Sequence, residues 1–399
     1  MNNFDWYKIK FLESTSNLKS LIKESTGRTP STKVAREIAI CIQQGRMFFE
    51  TASTSPIETR PLQLFYGMVG FAKALTIAKN MKSLETLNQS HGLRDISEQN
   101  SKIENLCAKI NGKGTFQQFN DIVAPMNRGC FHKENSTPVY ECIPSATFDD
   151  LDNLEINLKD IFSRTAEIES LYQDTFSESA NTHSLILMFL HEYDGYCQIR
   201  IDDSGLFKNR ESLKVIVEKW RETYPFLKKW RIEEAVHAWG NSIIEFGNVD
   251  VDGLDDLSEE HLIEKDNKFQ TRPDLQRSSI ERTNFLELLP PLSGGFNTSH
   301  QYMTSPLNGL YMSEFSLQYV GMFLLSSVVC YRPHTWVNAI TSYASENTVS
   351  DDRALALVEQ YMDLCSNAFP EMVSKIINPH EDKHSLSKRS TGSKLPIKK

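Results

Sequence analysis

Apolar residues recur at helical spacing through the first fifth of the chain. Phe4, Phe11, Leu18, Leu21 and Ile22 predict a weakly amphipathic helix over residues 4–24. A break at 27–32 follows, where Ser31 or Thr32 is placed to cap the next helix. Over residues 33–51 the positions Val34, Ile38, Ile42 and Phe49 share one face. After a turn at 53–56, Pro61 stands near the start of a further helix, where its missing N–H costs little. That helix, residues 61–79, is apolar on nearly every side, and such a helix is buried. Gly67 and Gly70 lower its intrinsic propensity by about 1 kcal/mol each, and in return they let another backbone approach closely. The pattern predicts an antiparallel pair of helices at the centre of the fold.

The middle of the chain alternates more. Residues 129–133 and 138–143 predict one β-hairpin, and 185–190 with 196–202 a second, turning at Tyr193-Asp194-Gly195. Residues 242–246 predict a further strand, and 151–176 and 211–230 predict helices. Helical spacing returns at 308–330, 333–345 and 351–377. The fold class these elements imply is α+β, predominantly α-helical: a bundle from the N- and C-terminal regions with a smaller mixed α/β insertion. The divisions are 1–125 (helical, with the buried hairpin), 126–300 (the mixed insertion), 301–378 (helices packing on the first region) and 379–399. The last carries six basic residues and no acid from Lys383 onward, a composition that predicts a disordered basic tail.

Composition narrows the class. The chain has 399 residues, 40% hydrophobic and 24% charged, which suits a foldable globular protein. Its net charge is −9, which argues against a broad nucleic-acid or anionic-membrane surface. Nine acids against one lysine between Glu245 and Asp266 supply nearly all of that excess, as a solvated loop would. Seven irregularly spaced cysteines with no Cys-x-x-Cys pair fit free thiols in a reducing cytoplasm. The start of the chain has no signal-peptide pattern. The most apolar run, 319–330, is shorter than the roughly 20 residues a membrane span needs and predicts a buried helix.

Most chemical motifs fail. Gly112-Lys113-Gly114-Thr115 lacks the upstream glycine of a phosphate-binding loop and the hydroxyl directly after lysine. Leu292-Ser293-Gly294-Gly295 resembles an ATP-cassette signature but has no Walker motif beside it, and no GxSxG nucleophile elbow exists. Asn248, Asp250, Asp252, Gly253 and Glu259 match calcium-loop spacing. Yet Asp255 occupies a normally apolar position and the preceding segment predicts a strand, so an acidic loop is the better reading. Cys130, His132 and Cys142 lack a fourth zinc ligand. Arg231 and His237 match the Arg-x(4–6)-His spacing of HEPN-type ribonucleases, but Ile232 replaces the polar residue usual after the arginine. No metal, cofactor or catalytic residue is implied.

A combination of segments carries more weight than any of these motifs. Gln44 to Ala52, Ser55-Pro56, Arg60 to Met68 and Ala72 to Leu75 are followed by Ser90-His91-Gly92-Leu93 and Gly114-Thr115-Phe116. Near the other end stand Leu324 to Ser327 and Tyr331-Arg332-Pro333-His334-Thr335-Trp336. Together they resemble the YaaC-like family of bacterial proteins over about 33–120 and 305–345. The resemblance implies a cytosolic, largely helical protein and no established reaction. Cys330 departs from it, standing where the family pattern has an arginine.

Polar residues in these apolar helices are the candidates for function. Arg60, Tyr66, Lys73, His91, Arg332 and Trp336 are candidate ligand-binding residues: four cations for a phosphate or carboxylate, with aromatic walls. The competing reading is structural, with Lys73 paired to Glu50 or Glu58 and Arg332 capping a helix. Three functions follow: a non-enzymatic interaction or regulatory subunit, for instance of a stress or phage-defence module; a HEPN-like ribonuclease or nucleotide-acting enzyme; and a small-anion sensor. The partners implied are another protein or a second copy, and a small anionic ligand, with no membrane and no strong nucleic-acid signal.

Overall fold

The computed structural model describes residues 4–99, 101–124, 145–188, 198–203, 205–238, 241–247, 262–265, 268–271, 292–293, 301–340 and 352–378. The chain opens with α1 (Trp6–Leu12), α2 (Thr15–Thr26), α3 (Thr32–Ala52) and α4 (Arg60–Asn80). Then come β1 (Leu93–Asp95), β2 (Cys107–Ile110), α5 (Thr115–Val123), α6 (Phe148–Leu151), β3 (Glu155–Asn157), α7 (Leu158–Ser163) and α8 (Glu169–Phe176). Strands β4 (Thr182–Met188) and β5 (Gln198–Asp203) precede α9 (Arg210–Thr223), β6 (Arg231–Ala238) and β7 (Asn241–Gly247). Last are β8 (Leu262–Lys265), β9 (Lys268–Thr271), β10 (Leu292–Ser293), β11 (Gln301–Thr304), α10 (Glu314–Tyr331), α11 (Pro333–Ile340) and α12 (Leu355–Ile377). The fold is predominantly helical α+β.

The chain divides into two compact units. One comprises Met1–Val123, Thr147–Ile161 and Phe315–Lys399; the other comprises Ala124–Ala146 and Phe162–Glu314. In the first, Ser31 Oγ accepts from the Val34 amide at 3.2 Å and starts α3, and Pro61 sits in the first turn of α4. The two helices cross at their glycines. A methyl group on Gly70 would lie 3.0 Å from the Gly45 nitrogen and 3.1 Å from the Cys41 carbonyl oxygen. Aromatic rings tie α4, α5, α10 and α12 into one core. Tyr319 of α10 packs edge-on against Phe65 (5.5 Å) and stacks on Phe119 (5.3 Å), which stacks in turn on Phe369 (5.3 Å). Polar bonds add to this: Ser316 Oγ of α10 donates to Asn120 Oδ1 of α5 at 2.7 Å, and the amide of Phe4, ahead of α1, donates to Asn367 Oδ1 of α12 at 2.9 Å. A three-stranded antiparallel sheet, β1-β2-β3, completes this unit.

The second unit holds an eight-stranded sheet in the order β10-β11-β4-β5-β7-β6-β9-β8, antiparallel throughout. Leu213, Val217 and Trp220 on one face of α9 pack with Ile199, Ile201, Ile244 and Phe246 of the sheet to make its core. The pairing of β4 with β5 realises the hairpin expected near 185–202, and β7 the strand at 242–246.

Several boundaries differ from the sequence expectations, each for a local reason. The first helix is two, because Ser14 Oγ accepts from the Asn17 amide and begins α2 anew. The helix expected over 151–176 is broken. Asn153 takes a left-handed φ of 65°, β3 then pairs with β2, and Asn157 Oδ1 restarts the chain as α7 by accepting from the Asp160 amide. α9 stops at Thr223 because Pro225 disfavours helical geometry in Tyr224 before it. α10 begins at Glu314 rather than near 308, since Asn308 and Gly309 turn the chain at positive φ, closed by the Leu307–Leu310 bridge.

The structure places Arg231 and His237, the pair with HEPN-type spacing, in a strand. Both lie in β6, where a bulge falls between Ile232 and Glu234. The ladder sets Arg231 opposite Gly247 and His237 opposite Ser242. Those partners are five residues apart in β7, so the two positions belong to opposite faces of the sheet. The hairpin at 129–143 with Cys130, His132 and Cys142, the calcium-like loop at 248–259, and the basic tail at 379–399 lie outside the described residues.

α10 reaches 18 residues, longer than the apolar run alone, and is long and apolar enough to cross a membrane by length and composition. Its residues are mostly buried inside the protein: Tyr319, Val320, Met322, Leu324 and Leu325 have no exposure.

Candidate functional site

The segment from Ser90 to Ser97 organises the candidate residues. Gly92 takes φ +73° and turns the chain there, a conformation that favours glycine. The start of α5 clasps this turn. The Thr115 amide donates to the Ser90 carbonyl (2.9 Å), the Phe116 amide to the His91 carbonyl (3.0 Å), and Gln117 Nε2 to the Gly92 carbonyl (2.9 Å). Gly114 lies against the Gly92 backbone with no room for a side chain. The His-Gly-Leu and Gly-Thr-Phe segments, more than twenty residues apart in sequence, are thus two halves of one clasp.

His91 projects from the clasp against two aromatic rings, Phe65 of α4 at 5.2 Å and Phe323 of α10 at 6.3 Å. Burial, and then the positive charge of Lys73, hold its imidazole below the usual histidine range. Lys73 is half-buried. No carboxylate pairs with it among the described residues, so neither expected partner, Glu50 or Glu58, holds it; Glu50 is engaged by Arg46 (2.6 Å) and Lys10 (3.7 Å). Its charge also reaches Cys41, whose thiol burial pushes up to about 11 and the lysine only partly draws back.

The remaining candidates are placed elsewhere. Arg60 Nη2 donates to Asp363 Oδ1 at 2.5 Å and to Ser366 Oγ at 3.3 Å, fastening the start of α4 to α12. Thirteen residues separate Arg60 from Lys73, about 20 Å along the helix and on different faces, so one small ligand does not span both. Arg332 Nη2 donates to Asp95 Oδ1 at 3.2 Å and to the Ser97 carbonyl at 2.8 Å. Asp95 also accepts from Ser327 Oγ (2.6 Å) and from the amide and hydroxyl of Ser97 (2.9 and 2.6 Å). Arg332 therefore anchors β1 to the end of α10. Trp336 is 3% exposed and donates from Nε1 to the Glu58 carbonyl at 3.1 Å, a core role. Tyr66 is 43% exposed and stacks on Phe48 of α3 at 5.9 Å.

Of the four cations, the structure leaves Lys73 beside His91 and gives the two arginines to carboxylates. Sequence reasoning missed Asp95 and Asp363, the acids that take those arginines. Asp95 stands four residues past His91, but nothing in its neighbourhood signals a partner more than two hundred residues away. It also missed a buried cluster in the second unit. There His183 packs edge-on against Trp220 (4.5 Å) and Tyr224 (5.6 Å), with Ser305 Oγ 3.5 Å from its Nε2. Asp203 beside it accepts from Trp220 Nε1 (2.7 Å) and Lys219 Nζ (3.0 Å).

Fold and site together define a predominantly helical α+β protein whose glycine clasp holds a histidine against α4, the helix that carries a lysine with no carboxylate partner among the described residues. The chain matches the YaaC-like protein family over residues 6–377 and belongs to it. No curated protein and no solved structure matches it.

Proposed function

We propose that this YaaC-like protein is a non-enzymatic regulatory subunit of the bacterial cytoplasm that binds a small anion at Lys73 and His91. The observation that carries the reading is the contrast among its cations. Arg46, Arg60 and Arg332 each face a carboxylate, whereas half-buried Lys73 has none among the described residues. Holding an uncompensated charge in a half-buried position is unfavourable, and a bound anion would relieve it. Free thiols at Cys41, Cys107, Cys330 and Cys365 suit the reducing compartment.

Calorimetric titration with inorganic phosphate tests this. Saturable binding that Lys73→Met abolishes supports the reading; no heat of binding at millimolar phosphate overturns it.

A second reading, docking of another protein as in a stress or defence assembly, is favoured by the exposed apolar residues Ile40 (51%) and Met47 (55%). These stand seven residues apart on one face of α3. Aspartate at both positions should abolish a stable complex isolated from native cells while leaving thermal stability unchanged. A complex that survives both changes removes this reading.

A further inference from the structure

α4 is buried almost all round, so the few positions where it reaches solvent are informative. Before its final turn these are Arg60, which Asp363 holds, and Leu62, Gln63, Tyr66 and Lys73. Tyr66 and Lys73 are seven residues apart, which places them within about 20° of the same side of the helix and about 10 Å apart along it. Between them lies Val69, 7% exposed, as an apolar floor. Phe48 backs the Tyr66 ring, yet the tyrosine keeps 43% of its surface open. One side of one helix thus presents a flat aromatic surface and a cation with no carboxylate partner among the described residues, and His91, packed on Phe65 of the same helix at 5.2 Å, lies within reach of that cation's charge.

Building on the anion-binding reading of Lys73 and His91, we propose that the ligand is a nucleotide. Its phosphate lies on Lys73 and His91, and its base stacks on Tyr66. The rise of about 10 Å between the two positions is an extent that the base and phosphate of one nucleoside monophosphate can bridge. Inorganic phosphate or a small carboxylic acid would use the cation and leave the tyrosine idle. A flat ring gains from stacking on tyrosine whichever base it is, and a purine gains most because it covers more of the ring. The carboxylates that hold Arg60 and Arg332 leave those arginines outside this ligand's reach, so a monophosphate suits the site better than a triphosphate, which needs several cations.

Calorimetry with adenosine monophosphate, inorganic phosphate and adenosine on the full chain tests the assignment. The monophosphate should bind at least tenfold more tightly than phosphate or adenosine. Tyr66→Ala should reduce its affinity to that of phosphate without altering phosphate binding, and Tyr66→Phe should keep it. Tyr66 is exposed, so these variants are not expected to disturb folding. Equal affinity for the monophosphate and phosphate would overturn the nucleotide assignment while leaving anion binding in place. Absence of binding by either would overturn both.

Discussion

Arg332 donates to Asp95 across 3.2 Å, joining residues 237 positions apart. Both side chains are largely buried, at 16% and 14% exposure, and Asp95 is filled by further donors from Ser97 and Ser327. Replacing Asp95 by alanine removes the carboxylate partner of the guanidinium, which keeps only the Ser97 carbonyl, and the acceptor of the Ser97 and Ser327 hydroxyls, with a destabilisation of about 2–3 kcal/mol. Urea unfolding monitored by far-ultraviolet circular dichroism should show it. A double Asp95→Ala, Arg332→Ala variant should be less destabilised than the sum of the single changes. Additive costs would mean that the pair does not act as a unit.

The crossing of α3 and α4 depends on bare backbone. Gly70→Ala places a methyl group 3.0 Å from the Gly45 nitrogen, and backbone, unlike a side-chain end, does not swing away. The overpacking cost of about 1–3 kcal/mol exceeds the gain of about 1 kcal/mol in helix propensity. Thermal unfolding should therefore occur at lower temperature than in the parent. An unchanged or higher midpoint would show that the helices separate freely.

Stability should fall in mild acid because of His183. Burial, then the Lys219 charge, lower its pKa to about 4, against the opposing pull of Asp203. A folded value below the unfolded value of about 6.5 means the unfolded chain takes up the proton first. The contribution is neutral above about pH 6.5. It becomes a loss as pH drops toward 4, reaching about 3 kcal/mol where both states are protonated. Denaturant midpoints measured every half unit from pH 7.5 to 4.5 should decline with a slope that His183→Gln flattens. Parallel slopes in both proteins would assign the acid sensitivity to other groups.

Among the described thiols, reactivity should follow exposure. Cys330 is exposed, whereas Cys41 is buried and its thiol is pushed up to about 11, so little thiolate exists near neutrality. Brief iodoacetamide treatment of the native protein at pH 7.5, followed by peptide mass mapping, should find Cys330 modified well before Cys41. Early labelling of Cys41 would show that the α3–α4 pair opens readily.

The hydrophobic pattern was enough to place α3, α4, α10 and α12, because a long, strongly apolar or amphipathic helix declares its face through local spacing alone. Local sequence was also enough for a cap at Ser31 or Thr32, which the structure gives to Ser31, and for the β4–β5 pairing. Short elements escaped it. The stretch after Leu151 reads as helix in one dimension, but β3 gains more by pairing with β2 than by remaining helical, and that partner is some fifty residues away. Arg231 and His237 match a motif in spacing alone, and that spacing did not reveal the strand that pairs with β7.

For the candidate site, sequence by itself determined that cations stand in apolar helices and that glycines mark close approaches, since residue type and local spacing are properties of the chain. Which cation stays unpaired was decided by tertiary structure alone. Asp95 and Asp363 arrive from distant parts of the sequence to take Arg332 and Arg60, and Glu50 is drawn to Arg46. Electrostatic pairing acts over a few ångströms of space, and a linear sequence carries no measure of that distance.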